Sequence, residues 1–256
     1  VLFRSHKKNE AALLERLAIE SLLAEIAAHF VNVPADSIDS QIEDAQRRIC
    51  ESIVLELCVL WQVSKDTPRI FTLDFLYCSL ESWTRPIRLD AKETFPWQLQ
   101  KTLGGETLAF STEDLPPEAA TDRESRRLLG IKSSVVIPLS DNEGRVNRVM
   151  SFNTLTATRQ WSGETVRGLK LLANVFANAL ARRRSEEALR ESEARLSLAI
   201  NAAKAGLWFI DFEMGRAWFS EEAQNLFQLD PDGNPACESF FKVIHPDDSQ
   251  RVRRDL

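Results

Sequence analysis

Helical spacing opens the chain. Over residues 10–31, Leu13, Leu17, Leu22, Leu23, Ile26, Ala27 and Phe30 recur near the helical period, with no Pro or Gly between them. Pro34 breaks the pattern. The stripe Ile38, Ile42, Ala45, Ile49 and Ile53 predicts a second helix over 37–53, with Asp36 as its N-cap. The period then changes to that of a strand. Residues 54–63 form a Val- and Leu-rich run, as in a buried strand. Residues 69–77 alternate Ile70, Thr72, Asp74 and Leu76 against Phe71, Leu73, Phe75 and Tyr77, as in a half-buried one. Residues 64–68 connect them, and residues 78–95 carry no clear period.

Further along, Pro96 opens and Gly104-Gly105 closes a short helix over 96–103. A short strand follows over 107–111, then a helix over 117–129 stopped by Gly130. Residues 133–140 (SSVVIPLS) and 145–156 read as strands joined by a turn at Asp141-Asn142-Glu143-Gly144. Ser162 caps a long helix; from Thr165 to about Ala203 it has no Pro and Gly168 as its only Gly, a span on the order of 60 Å. Helices at both ends of an antiparallel sheet define an α+β domain.

Composition adds boundaries to this picture. A chain of 256 residues with 44% hydrophobic and 27% charged residues has the makings of an ordinary core. A net charge of −6 disfavours a nucleic-acid groove, and no nucleic-acid partner is expected. No apolar run is long enough to span a membrane. Cys50, Cys58, Cys78 and Cys237 form no C-x-x-C pair, and with His6, His29 and His245 they show no zinc spacing, so reduced thiols in a cytoplasmic protein are expected. No histidine sits on a helix beside a carboxylate as a phosphoacceptor would. No Gly-rich phosphate loop, G-x-S-x-G or H-E-x-x-H occurs. No catalytic domain is therefore expected in this chain, and no metal site. Residues 1–9 begin VLFRS, which reads like a translated sequencing adapter, and the chain stops inside a helical pattern. The expectation is a non-native or disordered start and a reading frame cut at both ends.

Several blocks then bring in a resemblance. IEDAQRRICESIVLELCVLWQV from Ile42, FPWQLQKTLGGETLAFSTEDLPPEAATDRE from Phe95, GIKSSVVIPLSDNEGRVNRVMSFNT from Gly130 and WSGETVRGLKLLANVFANALARRR from Trp161 together resemble a GAF domain of bacterial sensor histidine kinases. ARLSLAINAAKAGLWFIDFEMGRAWFSEEAQNLFQLDPDG from Ala194, followed by FFKVIHPDD, resembles the first half of a PAS domain. The implied organisation is a GAF-like sensory domain over 10–182, a helical coiled-coil linker over 183–200 and a truncated PAS-like α/β segment over 201–256. Without the later strands of such a fold, Leu207, Phe209, Phe212, Trp218 and Phe219 are expected to lack a partner, leaving the segment molten or aggregation-prone.

The GAF resemblance implies a ligand pocket between one sheet face and the segments over 78–130. Trp61, Phe71, Trp83, Arg85, Phe95, Trp97, Phe110 and Phe152 are its candidate lining, and a small organic molecule its candidate ligand. The cofactor stays unknown. No covalent bilin is expected, because no Cys adjoins a His. Leu169, Leu172, Phe176 and Ala179, then Leu189 and Leu196, imply a parallel homodimer through the terminal helices. The expected role is a sensory and dimerisation module of a signalling protein, first a sensor histidine kinase with its kinase downstream. The same module of a diguanylate cyclase or phosphodiesterase, or a free-standing methionine sulfoxide reductase, are the alternatives. The parent protein is expected to be cytoplasmic, or anchored outside this region.

Overall fold

The computed structural model describes residues 2–80, 83, 86–211, 214, 216–229 and 244–255. These divide into two units, residues 1–186 and 187–256. In the first, α1 (Leu2–Asn32) and α2 (Ile38–Ile53) precede β1 (Leu57–Val63), β2 (Ile70–Cys78) and β3 (Arg88–Asp90). Next come α3 (Ala91–Thr94), α4 (Pro96–Leu103), β4 (Leu108–Ser111), α5 (Ala120–Leu128), β5 (Ser133–Ser140) and β6 (Val146–Thr154). Helix α6 (Gly163–Ala203) closes this unit and runs on into the second. Strand order is β3-β2-β1-β6-β5-β4, and every neighbouring pair is antiparallel. The α+β expectation holds.

The isoleucine stripe of α2 is buried along its whole length, from Ile38 to Ile53. The helix stops because Val54 takes a left-handed backbone (φ 56°) and the Leu55 N–H turns back to the Cys50 carbonyl at 2.8 Å. That turn uses residues 54–56, so the strand expected from residue 54 begins at Leu57. The cap expectation also shifts: Ser37, not Asp36, occupies the N-cap of α2, behind a short 3₁₀ turn at Ala35–Ser37. Helix α1 begins at Leu2, ahead of the expected residue 10. The stretch without a clear period contains β3 and α3. They escape a pattern reading because each has only three or four residues.

Period-two alternation splits the sheet into two faces. On one, Cys58 and Leu60 of β1, Val135, Ile137 and Leu139 of β5, and Met150 and Phe152 of β6 pack against α1, α2 and α6. Phe30 and Phe176 meet in this layer with ring centroids 5.6 Å apart. Helices α1 and α6 approach closely at Gly168, where an added Cβ would lie 2.2 Å from Ile19 Cγ2. The arginine triplet Arg182-Arg183-Arg184 also works here. Arg182 donates to the carbonyls of Val31 and Val33 at 2.8 and 2.5 Å, meeting the orphan acceptors at the end of α1 and just beyond it, and Arg183 pairs with Asp39. Helix α6 passes through the triplet unbroken.

One buried charge is paired across the sheet. Arg148, 3% exposed, donates Nε–H to Asp74 at 2.9 Å. A register shift between Leu60 and Trp61, where β1 pairs with β2, leaves Asp74 without a rung of its own.

In the second unit, β7 (Trp208–Asp211) and β8 (Arg216–Phe219) form a hairpin in register Trp208 to Phe219. Ser220 caps α7 (Glu221–Phe227), its Oγ accepting from the Ala223 N–H at 3.2 Å. Helix α8 spans Pro246–Asp255. Phe219, expected to lack a partner, is instead buried with Ala217 and Ala223 and meets Phe227 edge-on at 6.4 Å. Leu207, Phe209 and Trp218 are exposed, and Phe212 lies outside the described residues. Among the described residues, no helix is long and apolar enough to cross a membrane.

Two stability predictions follow from the first unit. Gly to Ala inside a helix ordinarily gains about 1 kcal/mol. Gly168→Ala should instead lose about 1–3 kcal/mol, since the β-branched Ile19 cannot rotate its methyl away. In an Ile19→Ala background the same change should become neutral or stabilising, as read from urea denaturation midpoints. Asp74→Ala should cost on the order of 3 kcal/mol by stranding Arg148, whereas Thr72→Ala, two positions away on β2, should cost little.

Candidate functional site

The second sheet face builds a cavity. Three cross-strand rungs form its floor: Leu57–Asn153, Val59–Ser151 and Trp61–Val149. Residues 83 and 86–95, α4 and α5 pack over them and enclose a cavity of about 490 Å³. Such a volume lies in the ordinary range for small-molecule sites.

Of the candidate lining residues, Trp61, Phe71, Trp83 and Phe95 come together around this cavity. Trp83 is fixed by its indole N–H, which donates to the Leu129 carbonyl at 3.0 Å. Trp97 and Phe110 stand behind the wall, edge to face at 6.0 Å, and do not line the cavity. Phe152 is a correction. It is one residue out of phase with Ser151 and Asn153, so it faces the helix layer and is fully buried there. Arg85 lies outside the described residues.

The polar side of the cavity was not found in the sequence. Arg126 of α5 is 2% exposed and lines the cavity. Its Nη1 donates to Ser134 Oγ at 2.6 Å and its Nη2 to Gln98 Oε1, while Nε is buried without a partner among the described residues. The guanidinium carbon stands 4.5 Å from the Phe110 ring centre and 5.3 Å from that of Phe95. Ser134 Oγ–H in turn donates a hydrogen bond to Asn153 Oδ1 at 2.6 Å. Burial lowers the Arg126 pKa to about 10, partly offset by the charge of Asp122. The guanidinium therefore stays protonated near neutral pH.

Asp122, one helical turn earlier on α5, is fully buried. It accepts the Trp97 and Gln98 N–H groups at 3.1 and 2.8 Å, satisfying the first turn of α4. Burial pushes its carboxyl above the ordinary carboxylate value; the Gln98 and Trp97 N–H groups and Arg126 oppose this without cancelling it. The sequence held one signal for both residues. Ala119, Asp122 and Arg126 follow a three-four spacing and share the buried face of a helix that otherwise reads as charged.

At the rim, Arg88 and Asp90 of β3 complete the lining. Asp90 caps α3 through the Lys92 N–H at 3.0 Å and faces Arg69 at 3.4 Å. Cys50 and Cys58 belong to the helix layer on the other sheet face. Among the described residues, no cluster of His, Cys, Asp and Glu is suited to hold a metal ion.

Neither a protein-family model nor a curated protein matches the chain. Solved structures match the first unit. The GAF domain of a phosphoenolpyruvate-protein phosphotransferase from Coxiella burnetii superposes with TM-score 0.54 at 17% identity, over 68% of this chain and 98% of that one. Free methionine-R-sulfoxide reductase from Neisseria meningitidis, solved with its substrate, gives 0.53 at 16% identity over 69% and 93%. The phycoerythrobilin-bound GAF domain of a cyanobacterial phytochrome gives 0.54 at 14% over 67% and 98%. The six-stranded antiparallel sheet with its flanking helices is thus a GAF fold. At these identities the likeness speaks for the fold alone.

Asp122 yields a pH prediction. Its folded pKa is raised, so its contribution to stability is full below the unfolded value and is lost as pH rises through the folded one. The stability difference between wild type and Asp122→Asn should therefore shift against wild type from about pH 3 to about pH 6. Urea midpoints across that range test it, and a difference that stays flat or moves toward wild type would refute it.

Proposed function

We propose that this chain is the sensory and dimerisation module of a bacterial signal-transduction protein, a sensor histidine kinase in first place. The observation that carries this reading is the pairing of a ligand-sized cavity on one sheet face with a continuous helix on the other. Helix α6 packs on the sheet through Leu169, Leu172 and Phe176 and continues to Ala203. The choice of a kinase rests on the resemblance of the sequence blocks, as does the PAS assignment of the second unit.

A polar route supports a relay. Ser134 of β5 belongs to the Arg126 network, while its neighbour Ser133 accepts the Arg159 N–H at 2.8 Å. Arg159 holds the Ile53 carbonyl at 2.6 Å and pairs with Glu15 of α1 at 2.7 Å. Glu15 in turn accepts from the Thr165 hydroxyl in the first turn of α6 at 2.6 Å. A ligand that shifts β5 bears on both α1 and α6 through this one arginine.

Exposed apolar side chains support pairing of two copies. Leu13, Leu14, Leu17 and Leu171 on α1 and α6 face solvent, as do Leu189 and Leu196 farther along α6. A parallel helical pair would cover them. The reductase reading loses support from the thiols. Burial, with Cys50 beside it, pushes the Cys58 thiol well above its ordinary value, and neither cysteine lines the cavity.

Two measurements test the proposal. Sedimentation should show a dimer at micromolar concentration, and Leu189→Glu with Leu196→Glu should weaken it; a wild-type monomer would sink the pairing. Hydrogen exchange should change in α6 when a cavity ligand is added. Change confined to α4 and α5 would leave a binding fold with no relay.

A further inference from the structure

The fold buries two arginines beside the sheet and treats them differently. Arg148 is given a carboxylate, Asp74, at 2.9 Å. Arg126 is equally buried but is met only by neutral oxygens, those of Ser134 and Gln98. The nearby carboxylate, Asp122, is occupied by two backbone N–H groups of α4. A buried cation with no carboxylate among its hydrogen-bond partners is costly, and the charge of Asp122 offsets only part of that. Arg126 lines the cavity, where an anionic ligand would add the missing charge.

We propose that the cavity takes a small aromatic monocarboxylate whose negative charge is held by the guanidinium of Arg126. This rests on the cavity being the ligand site. The ring would lie among Trp61, Phe71 and Trp83, over the floor made by Val59 and Val149. A volume of about 490 Å³ equals the space of roughly 16 waters at about 30 Å³ each, which fits one ring system with a short side chain. A single charge is favoured over a phosphate dianion, because both Arg126 Nη groups already hold Ser134 and Gln98. The floor residues Ser151 and Asn153 are neutral, and at the rim Arg88 stands with the oppositely charged Asp90.

The test is calorimetric titration of the intact chain with benzoate, phenylacetate and indole-3-acetate, each beside its primary amide. The carboxylates should bind wild type at least about 10-fold more tightly than the amides. Arg126→Gln should weaken the carboxylates by about 10- to 100-fold and leave the amides within about twofold. Val59→Trp, which fills the floor, should abolish both. Equal binding of acids and amides to wild type would overturn this inference and leave the cavity reading standing. Carboxylate binding untouched by Arg126→Gln would also overturn it, since the anion would then sit elsewhere. If neither class binds, this inference and the cavity reading fall together. Should Arg126→Gln not fold, the acid-to-amide ratio on wild type decides alone.

Discussion

The first unit depends on a two-sided sheet in which β1 and β6 serve two cores at once. Cys58 and Leu60 look into the helix layer, while Leu57, Val59 and Trp61 look into the cavity. Phe152 and Met150 divide from Ser151, Asn153 and Val149 in the same way. A slip of one residue in the β1–β6 register would exchange these sets, placing Asn153 among aliphatics and Phe152 across the cavity. Register is therefore held by both cores, and neither face can change its composition without consequence for the other. This is why a cavity floor carrying Ser151 and Asn153 coexists with a mainly apolar helix layer on the opposite face of the same strands.

The two faces also handle charge by different rules. On the helix side, cations are matched to partners the fold supplies: Arg148 to Asp74, Arg159 to Glu15, Arg183 to Asp39, and Arg182 to carbonyls after α1. Each match joins elements far apart in sequence: β6 to β2, the segment before α6 to α1, and α6 to α2 and to the end of α1. On the cavity side, Arg126 receives hydrogen-bond acceptors and aromatic faces and no ion pair among the described residues. Aromatic rings over a guanidinium recover part of its lost hydration, on the order of 1–2 kcal/mol, which is less than the cost of burying an unpaired charge.

How much of this was legible in the sequence follows from element length and from what each residue type announces. The isoleucine stripe of α2, the alternation of β2 and the cap at Ser162 carry several agreeing positions apiece, and the structure keeps them. Strand β5 matched its sequence reading residue for residue, bounded by Gly130 and the Asp141–Gly144 turn. Strand β3 and helix α3 gave too few positions to set a period, and tertiary pairing with β2 creates them. For the site, aromatics were legible as a class but not by side of the sheet. Phe152 differs from Asn153 only in phase, and phase needs the register. Arg126 and Asp122 were hidden because a charged residue in a charged helix reads as solvated, although their spacing from Ala119 marks one buried face.

The placement of Ser133 and Ser134 gives the remaining step. Consecutive residues of a strand point to opposite faces, so a strand that moves must move both. Ser134 is tied to Arg126 and Asn153; Ser133 is tied to the Arg159 backbone, and through Arg159 to α1, α2 and the first turn of α6. No separate wire across the sheet is needed, because the peptide between the two serines is the connection. The Val135, Ile137 and Leu139 side chains hold the rest of β5 against the helix layer, so displacement at its first two residues would be taken up locally, next to the start of α6. In the proposed relay, helix α6 would be displaced at the end where it is anchored by Ser162, Thr165 and Gly168, and a stiff helix would carry a change of tilt or rotation along its length. The close approach of Gly168 to Ile19 packs the two helices together, so under that proposal α1 and α6 would respond as a pair.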